Sequence, residues 1–384
     1  MSSEEIRTRL RVAPEKLRRR MDPDELPFQT TAEVVPLDGT IGQPRAIDAI
    51  EFGLEIESHG YNLFLSGSPG SGRESTILDF LKDLARQQPP PSDWVYVHNF
   101  VDPDQPRSIE LPAGLGTRFS QDMRDFVIAA QREIPRAFES EEYAGRRGAA
   151  LNGFTQQRDA ILNELQNFAQ ARSFSIEMTP TGIVTVPVVD GKPIDAEAFE
   201  KLEDEQKQQI AAHGQEVQAE LGNALRALRD IEKQASLRAN ELDSEIATFV
   251  VGPFLNELRE HYTLNPKVVA YLNEVQKDIP IHLHDFAPTP IDPAQQQALS
   301  TAQFQAQQRE EHLARYNVNI LIDNSQTTGA PVVFERNPTY YNLNGRIDYR
   351  AAMGSMLTDF NQIKPGALHR ANGGFLVLHA AEVL

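Results

Sequence analysis

Hydrophobic residues follow two different periodicities along this chain. Residues 61–65 form a short apolar run, and behind a glycine-rich loop the apolar residues recur at helical spacing up to Leu84. A second apolar run lies at residues 94–98, and two more lie at residues 317–323 and 375–378. Strands that alternate with helices favour parallel pairing, so this pattern predicts an α/β fold with a parallel sheet, in which residues 94–98 are the second parallel strand.

The middle of the chain has a different pattern. Between residues 118 and 315 helical periodicity dominates, and in the longest segment, 196–250, apolar residues recur mostly at threes and fours. Such a stripe is typical of the seam of a helical hairpin. Residues 174–189 alternate around a Pro-Thr-Gly turn and predict a β-hairpin, whereas residues 99–116 are predicted to be a polar loop. Residues 118–315 are therefore predicted to be a large, mainly helical insertion with a coiled-coil-like hairpin.

These changes of pattern predict four parts. An N-terminal segment covers residues 1–35, and the first part of the α/β module covers residues 36–117. The helical insertion covers residues 118–315, and the second part of the module covers residues 316–384.

Composition narrows the class of protein. The chain has 384 residues, 40% of them hydrophobic, and no apolar run approaches the roughly 18 residues that a membrane span needs. The 55 acidic and 37 basic residues give a net charge of -18, which repels nucleic acid. The absence of cysteine excludes disulfides and Cys-ligated metal sites. Together with an N-terminus that lacks a signal-peptide core, these features predict a cytoplasmic protein without a membrane or nucleic-acid partner.

The glycine-rich loop has the residue types of a phosphate cradle. Glycine permits positive φ angles, with which backbone N–H groups can turn inward around an anion at the N-terminus of a helix. The P-loop spacing is kept from Gly67 to Gly72, but Arg73 replaces the usual lysine and Glu74 replaces the hydroxyl residue that holds magnesium. A glycine turn that only joins a strand to a helix is the alternative. The predicted nucleotide-binding residues are Gly67, Ser68, Pro69, Gly70, Ser71, Gly72, Arg73, Glu74 and Ser75.

Six segments together resemble the Lon-related proteases of the B/C type, whose N-terminal part is an AAA+ module with a large insertion. They are RVAPEKLRRRMDPDELPF, IGQPRAIDAIEFGL, GYNLFLSGSPGSGRES, RYNVNILIDNS, APVVFERNPTYYNLNGRID and IKPGALHRANGGFLVL. The resemblance covers nearly the whole chain. It implies ATP as the cofactor, a homo-hexamer that handles unfolded protein, and a C-terminal Ser-Lys protease domain. The whole protein would be an ATP-dependent serine endopeptidase, and this chain, which stops at the Walker B strand, would carry no catalytic residue.

The chain departs from the family at the Walker B position. That motif normally ends in Asp-Glu, which order magnesium and polarise the attacking water, because phosphoryl transfer depends on the metal and on positioning. Here the matching residues are His379 and Ala380. Asp323 follows another predicted strand and is a rival acidic residue, although capping a turn is the commoner role of such an aspartate. These departures predict weak nucleotide binding without appreciable turnover, and they disfavour bound magnesium.

Three functions therefore stay open. The chain is the ATPase-like part of an ATP-dependent Lon-like protease, or a nucleotide-independent scaffold and gate of an ATP-independent one. A regulatory P-loop switch unrelated to proteolysis would explain the loop but not the wider resemblance.

A candidate pore loop follows from the same resemblance. Related machines grip the substrate chain with an aromatic or apolar loop tip, and Tyr340, Tyr341 and Leu343 fall where that loop would be, with Gly345 as a hinge. The alternative is that the two tyrosines pack on the surface of their own module.

No metal site is predicted. His282 and His284 form an H-x-H pair, but no third ligand accompanies them at a suitable spacing in the sequence.

Overall fold

The computed structural model describes most of the chain, in twelve stretches. They are residues 3–18, 20–35, 42–56, 58, 60–68, 70–179, 182–189, 192–194, 199, 202–286, 307–352 and 355–383. The chain divides into two units, Met1–Ala85 and Arg86–Leu384. The four predicted parts have different boundaries and remain a prediction.

The regular secondary structure described in the N-terminal unit is helical. Its α-helices are α1 (Ser3–Leu10), α2 (Pro44–Leu54) and α3 (Arg73–Gln87), which continues past the unit boundary. The helix predicted behind the glycine loop is thus confirmed, and Ile77 and Leu81 lie on its buried side.

The strand predicted at residues 61–65 is wrong. These residues are neither helical nor paired, and Tyr61 and Phe64 are exposed. A strand forms only where a neighbouring strand satisfies its backbone N–H and C=O groups. The described residues of the N-terminal unit include no other strand that could do so.

The C-terminal unit is built on a three-stranded sheet. Its strands are β1 (Asp93–Val97), β2 (Arg107–Leu111) and β6 (Val318–Ile322), in the order β2-β1-β6. Both pairings are antiparallel, so the prediction that residues 94–98 form a parallel strand is wrong. The short connection after β1 allows a hairpin with β2, whereas a parallel neighbour would need a long crossover. β2 itself lies in the predicted polar loop, yet its Ile109 and Leu111 are buried on one face.

The helices of this unit pack on the buried face of the sheet or on one another. They are α4 (Leu115–Phe138), α5 (Glu141–Gln170), α6 (Asp204–His261) and α7 (Pro266–Asp278). One core joins the sheet to α4, α7 and the C-terminal part of α6. Its members include Val95, Val97, Ile109, Leu111, Phe119, Met123, Phe126, Val251, Leu255, Val268, Leu272 and Val318. Burial of these side chains supplies the main stabilisation of the unit.

α5 and α6 run antiparallel. The Tyr143 hydroxyl donates to Asp243 at 2.6 Å at one end, and Arg172 donates to Glu216 at 2.6 Å at the other. These helices lie where the helical hairpin is predicted. Beside them, β3 (Phe174–Thr179) and β4 (Gly182–Val189) form the predicted antiparallel hairpin, which β5 (Lys192–Pro193) extends.

The last part of the chain contains short elements around one parallel pair. β7 (Val332–Glu335) and β12 (Phe375–Leu378) are parallel, and they are the one parallel pairing among the described residues. The predicted parallel sheet is therefore limited to two strands there. The other elements are α8 (Tyr340–Asn344), β8 (Arg346–Ile347), β9 (Arg350–Ala352), β10 (Ser355–Leu357), β11 (Ile363–Lys364), α9 (Ala367–Arg370) and α10 (Ala380–Val383).

None of the helices in the described stretches has the length and apolar character that a membrane crossing requires.

Candidate functional site

The glycine loop is a tight turn that leads directly into α3. Gly70 and Gly72 have φ angles of 75° and 77°, in the left-handed region that strains any residue with a Cβ. The Ser71 N–H donates to the Ser68 carbonyl at 3.2 Å and closes the turn. Pro69 lies outside the described residues. A phosphate cradle and a plain glycine turn both need such angles, so the predicted nucleotide-binding residues remain a prediction.

The side chains of the loop are hydrogen-bonded to the loop's own backbone. The Arg73 guanidinium donates to the Gly67 carbonyl. The Ser75 and Thr76 hydroxyls both donate to the Gly72 carbonyl, at 2.8 and 2.9 Å. The bonds of Arg73 and Ser75 would have to break before either side chain could reach a phosphate or a magnesium ion.

Glu74 stands in the first turn of α3, where the family has its hydroxyl residue, and it is half-buried. A carboxylate at a helix N-terminus interacts favourably with the helix dipole, so it stabilises α3. The same negative charge repels a phosphate group. Glu74 therefore stabilises α3 and opposes the binding of an anion at its N-terminus.

The Walker B position lies at the carboxyl end of the parallel strand pair. Leu378 of β12 is paired with Glu335 of β7, and His379 follows directly. The His379 ring packs on the Phe334 ring with their centroids 5.3 Å apart. Ala380 begins α10. Ligands of parallel sheets bind at this edge, which makes His379 and Ala380 candidate site residues of the C-terminal unit.

Glu335 holds the carboxylate at the end of β7, and its oxygens already have partners. Arg370 donates to one oxygen at 3.2 Å, and the Asn337 N–H donates to the other at 3.0 Å. Since His379 and Ala380 carry no carboxylate, the residues at these two strand ends do not supply the acidic pair that magnesium and the attacking water need.

Asp323 caps a turn, which is the alternative considered for it. It follows β6, and its carboxylate accepts the Ser325 N–H at 2.9 Å. Burial raises the pKa of Asp323, but hydrogen bonds from the hydroxyl and the backbone of Ser325 and from the side chain of Thr117 together outweigh burial and lower that pKa.

Asp93 is a polar residue that sequence reasoning missed. It begins β1, is fully buried, and accepts the Gly116 N–H at 2.9 Å and the Asn324 N–H at 2.7 Å. Its carboxylate thus ties β1 to the start of α4 and to the end of β6. The local signal was an aspartate next to an apolar run, which by itself indicates only a strand boundary.

The candidate pore loop forms the short helix α8. Tyr340 and Tyr341 are 73% and 64% exposed, and their rings meet edge to face at 5.7 Å. The Thr339 hydroxyl caps the helix by accepting the Asn342 N–H at 3.3 Å. The predicted gripping role of Tyr340, Tyr341 and Leu343 remains a prediction.

Gly345 ends this turn with a φ of 84°. A Cβ on Gly345 would collide with the Lys364 carbonyl, and a Cβ on Gly366 would collide with the Leu343 carbonyl. The two backbone segments therefore approach each other directly. Such packing fixes the base of the turn and does not favour the predicted role of Gly345 as a hinge.

Two segments of the chain match models of known families. Residues 328–384 match a LonB-like AAA domain, and residues 93–126 match a Lon-like LonC helical domain. The first match includes the parallel strand pair and α8, and the second runs from β1 into α4. No curated protein matches the chain. The glycine loop lies outside both segments. Because both models describe domains of Lon-type proteins, the resemblance seen in the sequence is confirmed.

Proposed function

We propose that this chain is the AAA-like part of a Lon-like protease that handles unfolded polypeptide without hydrolysing ATP. As the resemblance implies, six copies would form a ring, and a Ser-Lys protease domain of the full-length protein would cut the substrate. The composition of the chain favours the cytoplasm as the location of this ring. Of the two Lon-like functions left open by the sequence, this is the nucleotide-independent one.

The observation that carries the proposal is the composition of the two parallel strand ends. His379 is packed on Phe334, Ala380 has no polar side chain, and Glu335 is bound by Arg370. Hydrolysis of ATP needs a magnesium ion and a polarised water, and both depend on carboxylates at this position. Without them a nucleotide can at most bind.

The glycine loop supports the same conclusion. Backbone N–H groups at the start of α3 favour an anion, but Arg73 is bonded to the Gly67 carbonyl and Glu74 adds a negative charge. We therefore expect weak binding of ATP that magnesium does not strengthen.

The exposed tyrosines of α8 support a role in handling substrate. Exposed aromatic side chains offer a large apolar contact area at low cost in conformational entropy, and an unfolded chain presents apolar side chains to them. The two tyrosines lie on a turn whose base is fixed by close backbone packing at Gly345 and Gly366, so the turn can keep its shape when a substrate chain moves past it.

The proposal is tested with the full-length protein and an unfolded substrate such as casein. We expect casein to be degraded at the same rate with and without ATP, phosphate release to stay at background, and calorimetry to show only weak ATP binding. In the same assay Tyr340→Ala should slow degradation, whereas Tyr349→Ala, which removes another exposed tyrosine, should not.

Magnesium-dependent phosphate release would contradict the proposal, provided that Arg73→Ala abolishes it. The matched control is Lys82→Ala, which removes an exposed cation from the same helix. Release that survives Arg73→Ala would point to a contaminating ATPase, and a further purification would remove it.

A further inference from the structure

The side chains of His284, Asp285 and His312, all of which can bind a metal, lie close together beside the 3-10 helix that follows α7. A 3-10 helix, Ile279–Asp285, brings His284 and Asp285 to this place, and residues 307–313 form a helix that brings His312. Their ligand atoms all lie within 4.8 Å of one another. The sequence shows only an H-x-H pair here, because the third group lies 27 positions beyond Asp285.

The three groups converge on one carboxylate oxygen. His312 Nδ1 lies 2.7 Å from Asp285 Oδ1, and His284 Nε2 lies 3.2 Å from the same oxygen. His282 belongs elsewhere, since its Nδ1 lies 3.2 Å from Asp278 Oδ1. The two histidines of the H-x-H pair therefore contact different aspartates, His282 contacting Asp278 and His284 contacting Asp285.

Asp285 is nearly inaccessible to water and incompletely bonded. Its side chain is 1% exposed, and its Oδ2 atom makes no hydrogen bond. A buried carboxylate that is incompletely hydrogen-bonded costs free energy, and a cation bound at Oδ1 would stabilise it.

The charge around the cluster favours a cation. Arg315 is shared between the two aspartates, with Nη2 3.6 Å from Asp285 Oδ2 and Nη1 3.7 Å from Asp278 Oδ2. Two carboxylates thus face one guanidinium, and one negative charge remains when the imidazoles are neutral. A divalent cation would offset that charge.

We propose that His284, Asp285 and His312 bind a divalent transition metal of the zinc class. Zinc binds histidine nitrogen and carboxylate oxygen at about 2.0–2.2 Å in a tetrahedron, which places two ligand atoms about 3.3 Å apart. The His284 distance already fits this value, and the His312 ring has to withdraw by about half an ångström. Two nitrogen ligands and one oxygen ligand suit zinc, cobalt or nickel better than magnesium or calcium.

The site keeps a side open to solvent. The side chains of His284 and His312 are 70% and 48% exposed, so their rings can rotate and water can complete the tetrahedron. A metal there would join the two chain segments that flank residues 287–306. Linking two positions that are far apart in the chain restricts the unfolded chain and stabilises the folded state, so we assign the site a structural role that goes beyond the proposed function.

The test is a titration of the purified, metal-free full chain with Zn²⁺ by calorimetry and with Co²⁺ by visible absorption. We expect one equivalent to bind, the visible bands of tetrahedral Co²⁺ to appear, and the melting temperature to rise. His284→Ala and His312→Ala should each weaken binding at least about tenfold. His282→Ala is the matched control and should bind as the unmodified protein does, because that ring contacts Asp278 instead.

A second variant keeps the test decisive if an alanine disturbs folding. His312→Gln can still donate a hydrogen bond to Asp285 but is a poor zinc ligand, so it should keep the circular dichroism spectrum and lose the metal. The proposal is overturned if the unmodified protein binds no metal, or if binding survives in both His284→Ala and His312→Gln. None of these readouts involves a nucleotide or a substrate, so their outcome is independent of the proposed function.

Discussion

Asp93 and Asp285 are both buried carboxylates of the C-terminal unit, and they are bonded in opposite ways. Both oxygens of Asp93 accept backbone N–H groups, from Gly116 and Asn324. One oxygen of Asp285 faces two imidazoles, and its other oxygen has no hydrogen bond. The two carboxylates are therefore almost equally buried, but only Asp93 has hydrogen bonds to both of its oxygens.

The difference shows what kind of partner makes a buried carboxylate structural. Backbone donors are held by the fold, so the bonds of Asp93 persist as long as β1, α4 and β6 stay together. Imidazoles on exposed side chains can rotate, so the partners of Asp285 can be exchanged for a ligand. We therefore expect Asp93 to matter for folding and Asp285 to matter for binding.

The largest expected effect is the loss of Asp93. Asp93→Ala leaves two buried N–H donors without an acceptor, and each such donor costs about 1–3 kcal/mol, so the free energy of unfolding should fall by about 4 kcal/mol. Urea denaturation followed by circular dichroism measures this value. The matched control is Asp159→Ala on the exposed side of α5, which should change it by less than about 0.5 kcal/mol. Similar values for the two variants would remove the distinction drawn between the carboxylates.

A smaller effect is expected at Gly116, which packs on Asp93. A Cβ at Gly116 would lie 2.9 Å from Asp93 Cβ and 3.2 Å from Val95 Cγ1, so Gly116→Ala should destabilise the protein by about 1–3 kcal/mol. Gly145→Ala is the control, because a Cβ there meets nothing within 4 Å and alanine is the better helix former. Thermal unfolding should give opposite shifts for the two variants, and a shift of the same sign would contradict the tight contact at Asp93.

The smallest effect is expected at Asp323, an exposed residue that directly precedes Asn324, the partner of Asp93. Burial raises its pKa, but the hydrogen bonds from Ser325 and Thr117 together outweigh burial, so the pKa is lowered in the folded state. A lowered pKa means that its contribution is present above the unfolded pKa of about 3.9 and is lost as the pH falls through the folded value. Asp323→Asn should cost less than about 1 kcal/mol at pH 7, and the difference from the unmodified protein should shrink as the pH falls below the unfolded pKa of about 3.9. Urea denaturation at pH 7, 5 and 3 measures it, and a constant difference would show that the carboxylate charge is not the cause.

Local sequence signals predicted some elements well. Helical spacing behind the glycine loop predicted α3, and the alternation around a Pro-Thr-Gly turn predicted the hairpin of β3 and β4. These features depend on contacts between residues that are close in the sequence. The strand at residues 61–65 failed because an apolar run becomes a strand only beside a partner strand. β2 was missed because only two of its five residues, Ile109 and Leu111, are apolar, and such a short alternation does not stand out from a polar loop.

The candidate sites divide in the same way. The glycine loop, the Walker B position and the candidate pore loop were each found from consecutive residues. The family matches support the Lon resemblance that relates these three segments. Residues 94–98 were recognised as a strand, but the direction of their neighbours depended on how α4, α6 and α7 return the chain to β6. The direction of pairing is a property of the whole path and is not encoded in any short segment.

The sequence by itself determined the Lon resemblance, the glycine loop and the absence of acidic residues at the Walker B position, because each of these is a matter of residue identity and short spacing. Only the tertiary structure decided that Asp93 joins three elements and that His312 completes a cluster with His284 and Asp285. Those groups are far apart in the chain, and the free energy of packing helices on the sheet brings them together. A side chain that acts through distant partners leaves no local pattern, so its role becomes visible only in the folded protein.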